Sequence, residues 1–426
     1  MKVLLLSHTP VTTYNNMGKT LLSLFSAFHP EELCQLYLYP SVPDTTCCGS
    51  YYRFTDRDAM HSLLDHRVTG GEVTPEPGSC AAFSNRGEER ICHASRTPTT
   101  LSRWGRDLMW SVSHWNNHSL QEWLERQAPD VLFVAPGEQE LLYDIALTVA
   151  KQYSIPLVAY VCDDFYFIDD KPQILRRARQ RHLRRKIAGL TGLASLVITI
   201  CPELADRYRK TFGVRAETVM TCPPFRVRTY AGPVRDPDSG HMVYMGNLQF
   251  GRDRALLELG QVLDAENRTA GTAHTLEIYT GDSNPEVLSE LSACPAVRLH
   301  DFVTGAAYEE ALDGTDVFVH AESFDADYRE RVRYSVSTKI IEGMASGKPL
   351  LAYGPREVAS MTYLRRHHCA ELALSRENLP NAVDAVLTQE SLRQGLAARA
   401  GSTARREVGG SRRLRALLEQ VVRKHK

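Results

Sequence analysis

Short apolar runs alternate with amphipathic helical stretches in this chain, and the whole alternation occurs twice. The first set of runs is KVLLLS (2–7), QLYLY (35–39), VLFV (131–134), LVAYV (157–161) and LVITI (196–200). Several lack in/out alternation, the pattern of parallel strands covered on both faces. Between them, LLSLFSAF (21–28), SLQEWLERQ (119–127) and ELLYDIALTVAKQY (140–153) carry apolar residues at helical spacing. The segment 70–100, rich in Gly, Pro, Ser and Thr, reads as an irregular excursion. The stretch TCPPFRVRTYAGPVRDPDSG (221–240) has no period and reads as a linker. Beyond it the rhythm restarts with MVYM (242–245), TLEIY (275–279), VRL (297–299), DVFVH (316–320) and PLLAY (349–353). Two such sets predict two doubly wound α/β domains.

Composition narrows the function. At 426 residues the chain is too long for one typical core, which agrees with two domains. A net charge of -1 gives no support for general nucleic-acid binding, which needs a basic surplus. The ten cysteines are scattered without the spacing of a zinc site, and the adjacent Cys47 and Cys48 read as reduced thiols in a loop. A reducing cytosol fits this usage best. The opening MKVLLLSHTP loses its apolar run at Ser7 and His8, with no small-residue cleavage site after it. No apolar stretch approaches the roughly 20 residues of a membrane span. The expectation is a cytoplasmic protein, at most peripheral to a membrane.

Ligands of doubly wound domains bind beyond the carboxyl ends of the strands. That rule selects residues 8–19, 135–140, 162–170, 246–254 and 321–342. In the last of these, SVSTKIIEGMASGKPLLAYGP (335–355) reads as a polar turn, a small-residue helix and a buried strand. Ser337 and Thr338 suit a helix start, Gly347 a helix stop, and Pro349 blocks continuation. The same start, with free N–H groups and a favourable dipole, suits an anion. Lys339 opposes that dipole and needs another partner. Gly18, in HTPVTTYNNMGKT, stands where a side chain would obstruct a phosphate or acceptor sugar, or is a packing glycine. In GNLQFGRDR, Gly246 and Gly251 are flexible and Arg252 can reach a phosphate, or is a surface arginine.

Taken together and in order, these pieces resemble a nucleotide-sugar glycosyltransferase of the GT-B fold, of the bacterial family 4 type. The resemblance runs through the opening strand and glycine turn, PDVLFV near 129–134, and VITICPELADRYRKTFG (197–213). It continues through YMGNLQFGRDRALLE, DGTDVFVHAESFD and STKIIEGMASGKPLLAYGP. It implies two Rossmann-like domains facing a central cleft. The acceptor-binding domain would span 1–231, with a final helix, 406–426, returned to it. The nucleotide-sugar-binding domain would span 232–405. It also implies roles. Arg252 and Lys339 would neutralise the donor diphosphate as the sugar–phosphate bond breaks. Glu342 would accept from the ribose hydroxyls, and Ser337 and Thr338 would hold phosphate oxygens beside Gly18 and Gly246. The diphosphate would then be the partner that Lys339 needs.

The sequence departs from that family once. Where the family has a second glutamate ahead of Glu342, this chain has Tyr334. Glu322 in AESFD could supply the missing carboxylate to the donor, or be an ordinary exposed glutamate. On the acceptor side, Asp163, Asp164 and Glu138 lie beyond strand ends, and Asp164 could serve as general base or simply cap its loop. Asp325-Ala-Asp327 resembles the metal motif of the other glycosyltransferase fold but falls in a loop of the wrong architecture, so no metal is expected. The expected donor is UDP-linked and the expected acceptor a carbohydrate or lipid-linked carbohydrate. The basic stretch ILRRARQRHLRRKIAGL (174–190) reads as a solvated helix face or as contact with an anionic membrane. A nucleotide-sugar epimerase of the same fold and a GT-B-like partner subunit without chemistry are the alternatives.

Overall fold

The computed structural model describes residues 1–65, 70–77, 100–168, 173–223, 225–230, 232, 234 and 236–425. The chain forms two compact units, Met1–Met220 with Gly410–Lys426, and Thr221–Gly409.

The first unit is built on an eight-stranded sheet in the order β4-β3-β2-β1-β5-β6-β7-β8. Its strands are β1 Val3–Ser7, β2 Leu33–Tyr37, β3 Ser50–Arg53, β4 Gly71–Glu72, β5 Val131–Ala135, β6 Leu157–Val161, β7 Leu196–Thr199 and β8 Ala216–Thr218. Every residue of β1, β2 and β5 is buried, as unbroken apolar runs require when both faces are covered. β1 pairs in parallel with β2 through Val3 and Leu33, and with β5 through Val3 and Val131. Among the described residues only β4, antiparallel to β3, breaks the parallel pattern. The helix Gly410–His425 returns to this unit, where Leu414, Leu417, Leu418 and Val421 join Val3, Leu5 and Phe133 in one core. It begins at Gly410 rather than at 406, because the preceding helix Glu390–Glu407 runs on to Glu407.

The second unit carries six parallel strands in the order β11-β10-β9-β12-β13-β14. These are β9 His241–Met245, β10 Thr275–Thr280, β11 Val297–Asp301, β12 Val317–Ala321, β13 Leu350–Tyr353 and β14 Glu371–Ala373. The chain winds outward from β9 to β11, crosses back to β12 beside β9, and winds outward again. This is the dinucleotide-type doubly wound order, and its switch point lies between β9 and β12. Leu256, Leu259 and Leu263 of the helix Arg252–Ala270 pack there on Met242, Leu276 and Val317.

The expected boundary at 231/232 is corrected to 220/221. Residues 225–230 lie on the second unit, where Arg228 N–H donates to Ala345 O at 2.9 Å and the Arg228 guanidinium pairs with Glu309 and Asp313. A Cβ at Gly347, whose φ is 76°, would come 2.3 Å from Thr229 O. The aperiodic stretch is therefore a strap fixed to one domain for much of its length. Most of the irregular excursion expected at 70–100 lies outside the described residues, and a helix, Thr100–Val112, follows it.

Candidate functional site

The switch point of the second unit is built from two close-packed loops. After β9 the chain makes a turn through Gly246 and Gly251, and Arg252 opens a helix. Gly251 has φ 72°, the left-handed region that suits glycine, and a Cβ there would come 2.6 Å from Ser323 Oγ of the facing loop. At Gly246 a Cβ would come 2.9 Å from the Tyr244 hydroxyl, which donates to Asn247 O. The loop after β12 supplies Glu322, 1 % exposed, and its backbone passes so near Gly354 that a Cβ there would meet Glu322 Cβ at 3.0 Å.

Arg252 and Glu322 meet across these loops. Arg252 Nε donates to Glu322 Oε2 at 3.2 Å and Nη2 to Oε1 at 3.2 Å, a two-pronged ion pair. His320, also buried, holds Nε2 3.3 Å from Oε1, within charge contact but not aligned as a hydrogen bond. Burial works to raise the Glu322 carboxyl. The Arg252 charge, then His320, outweigh it and hold the group at about 2. Glu322 is thus a buried anion inside the protein's own ion pair. Of the two readings of Glu322, the ordinary exposed glutamate is corrected: the side chain is buried, and each oxygen accepts from Arg252. Arg252 is likewise no loose surface arginine, since its Nη1 donates to Asn247 Oδ1 at 2.9 Å.

A second cation–carboxylate pair sits on the helix Thr338–Ala345, which follows β12 and precedes β13. Ser337 caps it, its side chain accepting from Lys339 N–H at 3.3 Å, with Thr338 the first helical residue. Gly343 lets the helix press on β12, because a Cβ would come 2.7 Å from the Phe318 ring. Lys339 Nζ donates to Glu342 Oε2 at 2.8 Å, and the Tyr308 hydroxyl donates to the same oxygen at 3.0 Å. The partner of Lys339 in this structure is therefore Glu342. Burial and the Glu342 charge push the Tyr308 phenol upward, so it remains a donor. Among the described residues, no group hydrogen-bonds Glu342 Oε1. Tyr334, in place of the family's second glutamate, is buried beneath the Arg333 guanidinium, 5.4 Å from its ring centre.

The first unit places its predicted residues differently. Gly18 is the third residue of the helix Asn16–Leu24, and a Cβ there would meet Thr12 Oγ1 at 2.4 Å, so the glycine serves loop–helix packing. Asp164 is buried, and its Oδ1 accepts from Tyr166 N–H at 2.9 Å and Phe167 N–H at 2.8 Å, the geometry of a loop cap. Asp163 accepts from the Cys162 thiol, and Glu138 pairs with Arg103 at 2.9 Å. In the second unit Asp325 caps the helix Ala326–Val332 by accepting from Asp327 N–H. Among the described residues no cluster of His, Cys, Asp and Glu is arranged to hold a metal ion.

Two groupings in the first unit escape a linear reading. Arg106 joins His8 after β1, Asp56 and Gln139 by contacts of 3.2, 2.8 and 2.5 Å. Burial, then the Arg106 charge, hold His8 down at about 4, so its ring is neutral. Glu140, 3 % exposed at the head of the helix Glu140–Gln152, faces Arg179 Nε at 3.3 Å and His182 Nε2 at 3.4 Å. The only signal for these in the sequence is position, since both His8 and Glu140 fall beyond strand ends. Arg179 and His182 lie on the helix Ile174–Leu193, which exposes Arg176, Arg177, Arg181 and Arg185 together with Ile174 and Leu175.

Comparison with known proteins places the architecture. No family model and no curated protein matches the chain. Solved structures do. Sucrose-phosphate synthase from Thermosynechococcus elongatus is similar at a TM-score of 0.62 and 11% identity, over 99% of each chain. A trehalose-6-phosphate synthase, OtsA, is similar at 0.64 and 9%, again over 99% of each. Anabaena HepE, in complex with UDP-glucose, is similar at 0.59 and 12%, over 99% of this chain and 100% of that one. At such identities the likeness carries the fold, and it joins the two strand orders in one conclusion: this chain has two Rossmann-like α/β domains of the GT-B type.

Proposed function

We propose that the protein is a glycosyltransferase that moves a sugar from a nucleotide-sugar donor, UDP-linked first, to a carbohydrate or glycoconjugate acceptor. The observation that carries this reading is the half-open carboxylate of Glu342. One oxygen is held by Lys339 and Tyr308, and the other is left open one turn into a helix on the carboxyl side of a doubly wound sheet. A ribose hydroxyl suits that oxygen. Lys339 and Arg252 supply positive charge to the diphosphate, and Ser337, Thr338 and the helix start supply N–H and hydroxyl donors. In the reaction the acceptor hydroxyl oxygen bonds to the sugar's anomeric carbon. The bond from that carbon to the phosphate oxygen breaks, its electron pair leaves with the nucleoside diphosphate, and the hydroxyl proton is released. The two cations stabilise the departing charge, and no obligatory metal or further cofactor enters this reading. Asp164 enters it as the cap of its loop.

The acceptor is taken to be a carbohydrate, free or lipid-linked. The exposed arginines of Ile174–Leu193 support contact with an anionic membrane face, and a cytoplasmic site agrees with the free cysteines. A panel of UDP-, GDP- and ADP-sugars tests the reading by thermal stabilisation, since a bound donor raises stability by mass action. Stabilisation by a UDP-sugar, followed by release of UDP when an acceptor is added, is the expected result. Absence of stabilisation by any nucleotide sugar would remove it.

A further inference from the structure

The buried contact of Arg252 with Glu322 carries a further step, which rests on the donor reading above. The guanidinium is gripped along one edge. Nε and Nη2 face Glu322, which His320 backs at 3.3 Å from Oε1, and the Phe250 ring centre lies 5.8 Å from the guanidinium carbon. The opposite corner differs. Nη1 reaches Asn247 Oδ1, and Asn247 is exposed, on the turn between β9 and the helix. One edge of the fork is therefore held by a buried anion, while the other meets a polar side chain that can swing aside. Glycine is required on both flanks of the grip, at Gly251 against Ser323 and at Gly354 against Glu322.

We propose that Glu322, backed by His320, is a positioning residue that holds the Arg252 guanidinium by its Nε–Nη2 edge, so that Nη1 is presented to a phosphate oxygen of the donor. A planar guanidinium suits this arrangement, because its donors point in fixed directions and one edge can be held while another binds. A lysine ammonium, with three equivalent donors on one rotating bond, can be held and still donate, but it fixes no direction for the donors it has left. Glu322 thereby acts on the donor through Arg252 and makes no contact with the donor's sugar or nucleoside. The buried carboxylate also offsets part of the guanidinium charge in the resting protein, so the direction of Nη1 counts alongside the positive charge that Arg252 brings to the site.

Calorimetric binding of UDP and of uridine to the full chain separates the possibilities, with ADP and GDP and their nucleosides run in parallel. Glu322→Gln keeps the shape and removes the charge. It should weaken UDP about tenfold and leave uridine unchanged. In an Arg252→Ala background, Glu322→Gln should change UDP affinity less than twofold, because the residue it positions is gone. Glu322→Asp keeps the charge and withdraws the carboxylate by about one bond. It gives the same test should the glutamine variant fail to fold, with UDP weakened and uridine spared. Equal losses for UDP and uridine, or losses that multiply in the double variant, would overturn the proposal while leaving the donor reading intact. A wild-type protein that binds none of the three diphosphates would remove the donor reading, and this assignment with it.

Discussion

Each unit contains an Arg–Glu–His group around a buried carboxylate, and the two behave in opposite ways. In the second unit Glu322 sits with Arg252 and His320, and in the first Glu140 sits with Arg179 and His182. The carboxylates are equally hidden, 1 % and 3 % exposed. Glu322 is held at about 2, whereas burial and the Asp107 charge push Glu140 up to about 7, against the pull of Arg179. Composition does not separate them; geometry and neighbours do. Arg252 gives Glu322 two aligned hydrogen bonds, while among the described residues Glu140 Oε1 and Arg179 Nη1 are buried without any. Glu140 also has two further acids near it, Asp107 and Asp144, and Glu322 has none of comparable effect. A charge inside a protein is stable when it is hydrogen-bonded, and being near an opposite charge is not enough.

The largest test of the comparison removes each carboxylate. Glu322→Ala leaves Arg252 and His320 buried without their anion. It should cost about 3–5 kcal/mol of stability, the usual result of breaking a buried pair. Glu140→Ala removes a group that is already poorly bonded and should cost about 1–2 kcal/mol. Urea unfolding of both variants at neutral pH checks the ranking, and equal losses would mean that the two groups are energetically alike.

The pH dependence sharpens the comparison. Glu322 has a folded value below its unfolded one. Its contribution is fully present above the unfolded carboxylate range and is lost as the pH falls through about 2. Glu140 has the reverse sign. Between about pH 4.5 and 7 the unfolded chain has released this proton and the folded chain still holds it, so stability falls as pH rises, and the penalty is complete above pH 7. Glu140→Gln cannot ionise. Relative to wild type it should gain on the order of 2 kcal/mol between pH 5 and pH 7.5. Paired urea titrations at these two values measure it, and a variant that tracks wild type at both would show that Glu140 is ionised throughout.

The two groups also mark what a linear reading can reach. The strand rhythm was legible because a strand covered on both faces must be an apolar run, as in VLLLS and VLFVA. The restart after residue 240 was legible for the same reason. Ser337 announced its helix because capping is local. Strands β3, β4, β8 and β14 were not legible, since short segments that mix polar and apolar residues at or beside a sheet's edge carry little signal. Arg252 was legible as a cation beyond a strand end, but its partner stands 70 positions away, and no spacing rule links them. Glu322 was therefore read as a donor carboxylate or an exposed glutamate, and its contact with Arg252 entered neither reading. Gly18 and Asp164 show the same limit. Each lies beyond a strand, where the sequence allows a ligand or else packing and capping, and the choice of contact, Thr12 for Gly18 and two backbone N–H groups for Asp164, appears only in the folded loop.

The smallest expected effect on stability, and the most specific on function, belongs to the third carboxylate. Glu342 resembles neither Glu322, with both oxygens held, nor Glu140, poorly bonded and deeply buried. Its side chain is 13 % exposed, and its two oxygens differ. Lys339 and Tyr308 both donate to Oε2. In Glu342→Gln those two donors select the amide oxygen for that place, which turns the NH2 group into the open Oε1 position. Glu342 is the fifth residue of its helix, beyond the first turn where the dipole acts, and the amide oxygen still accepts from both donors, so the variant should melt within a few degrees of wild type. The open position, however, changes from acceptor to donor, and a ribose hydroxyl that donated there now meets N–H. Donor affinity should fall at least about tenfold, roughly 1.4 kcal/mol. A 2'-deoxyribose donor distinguishes this from a general loss. It should bind wild type more weakly than the ribose form, and the difference should shrink in the variant, because the oxygen that sensed the hydroxyl is gone. If calorimetry finds the same deoxyribose penalty in both proteins, the open oxygen of Glu342 faces something other than ribose.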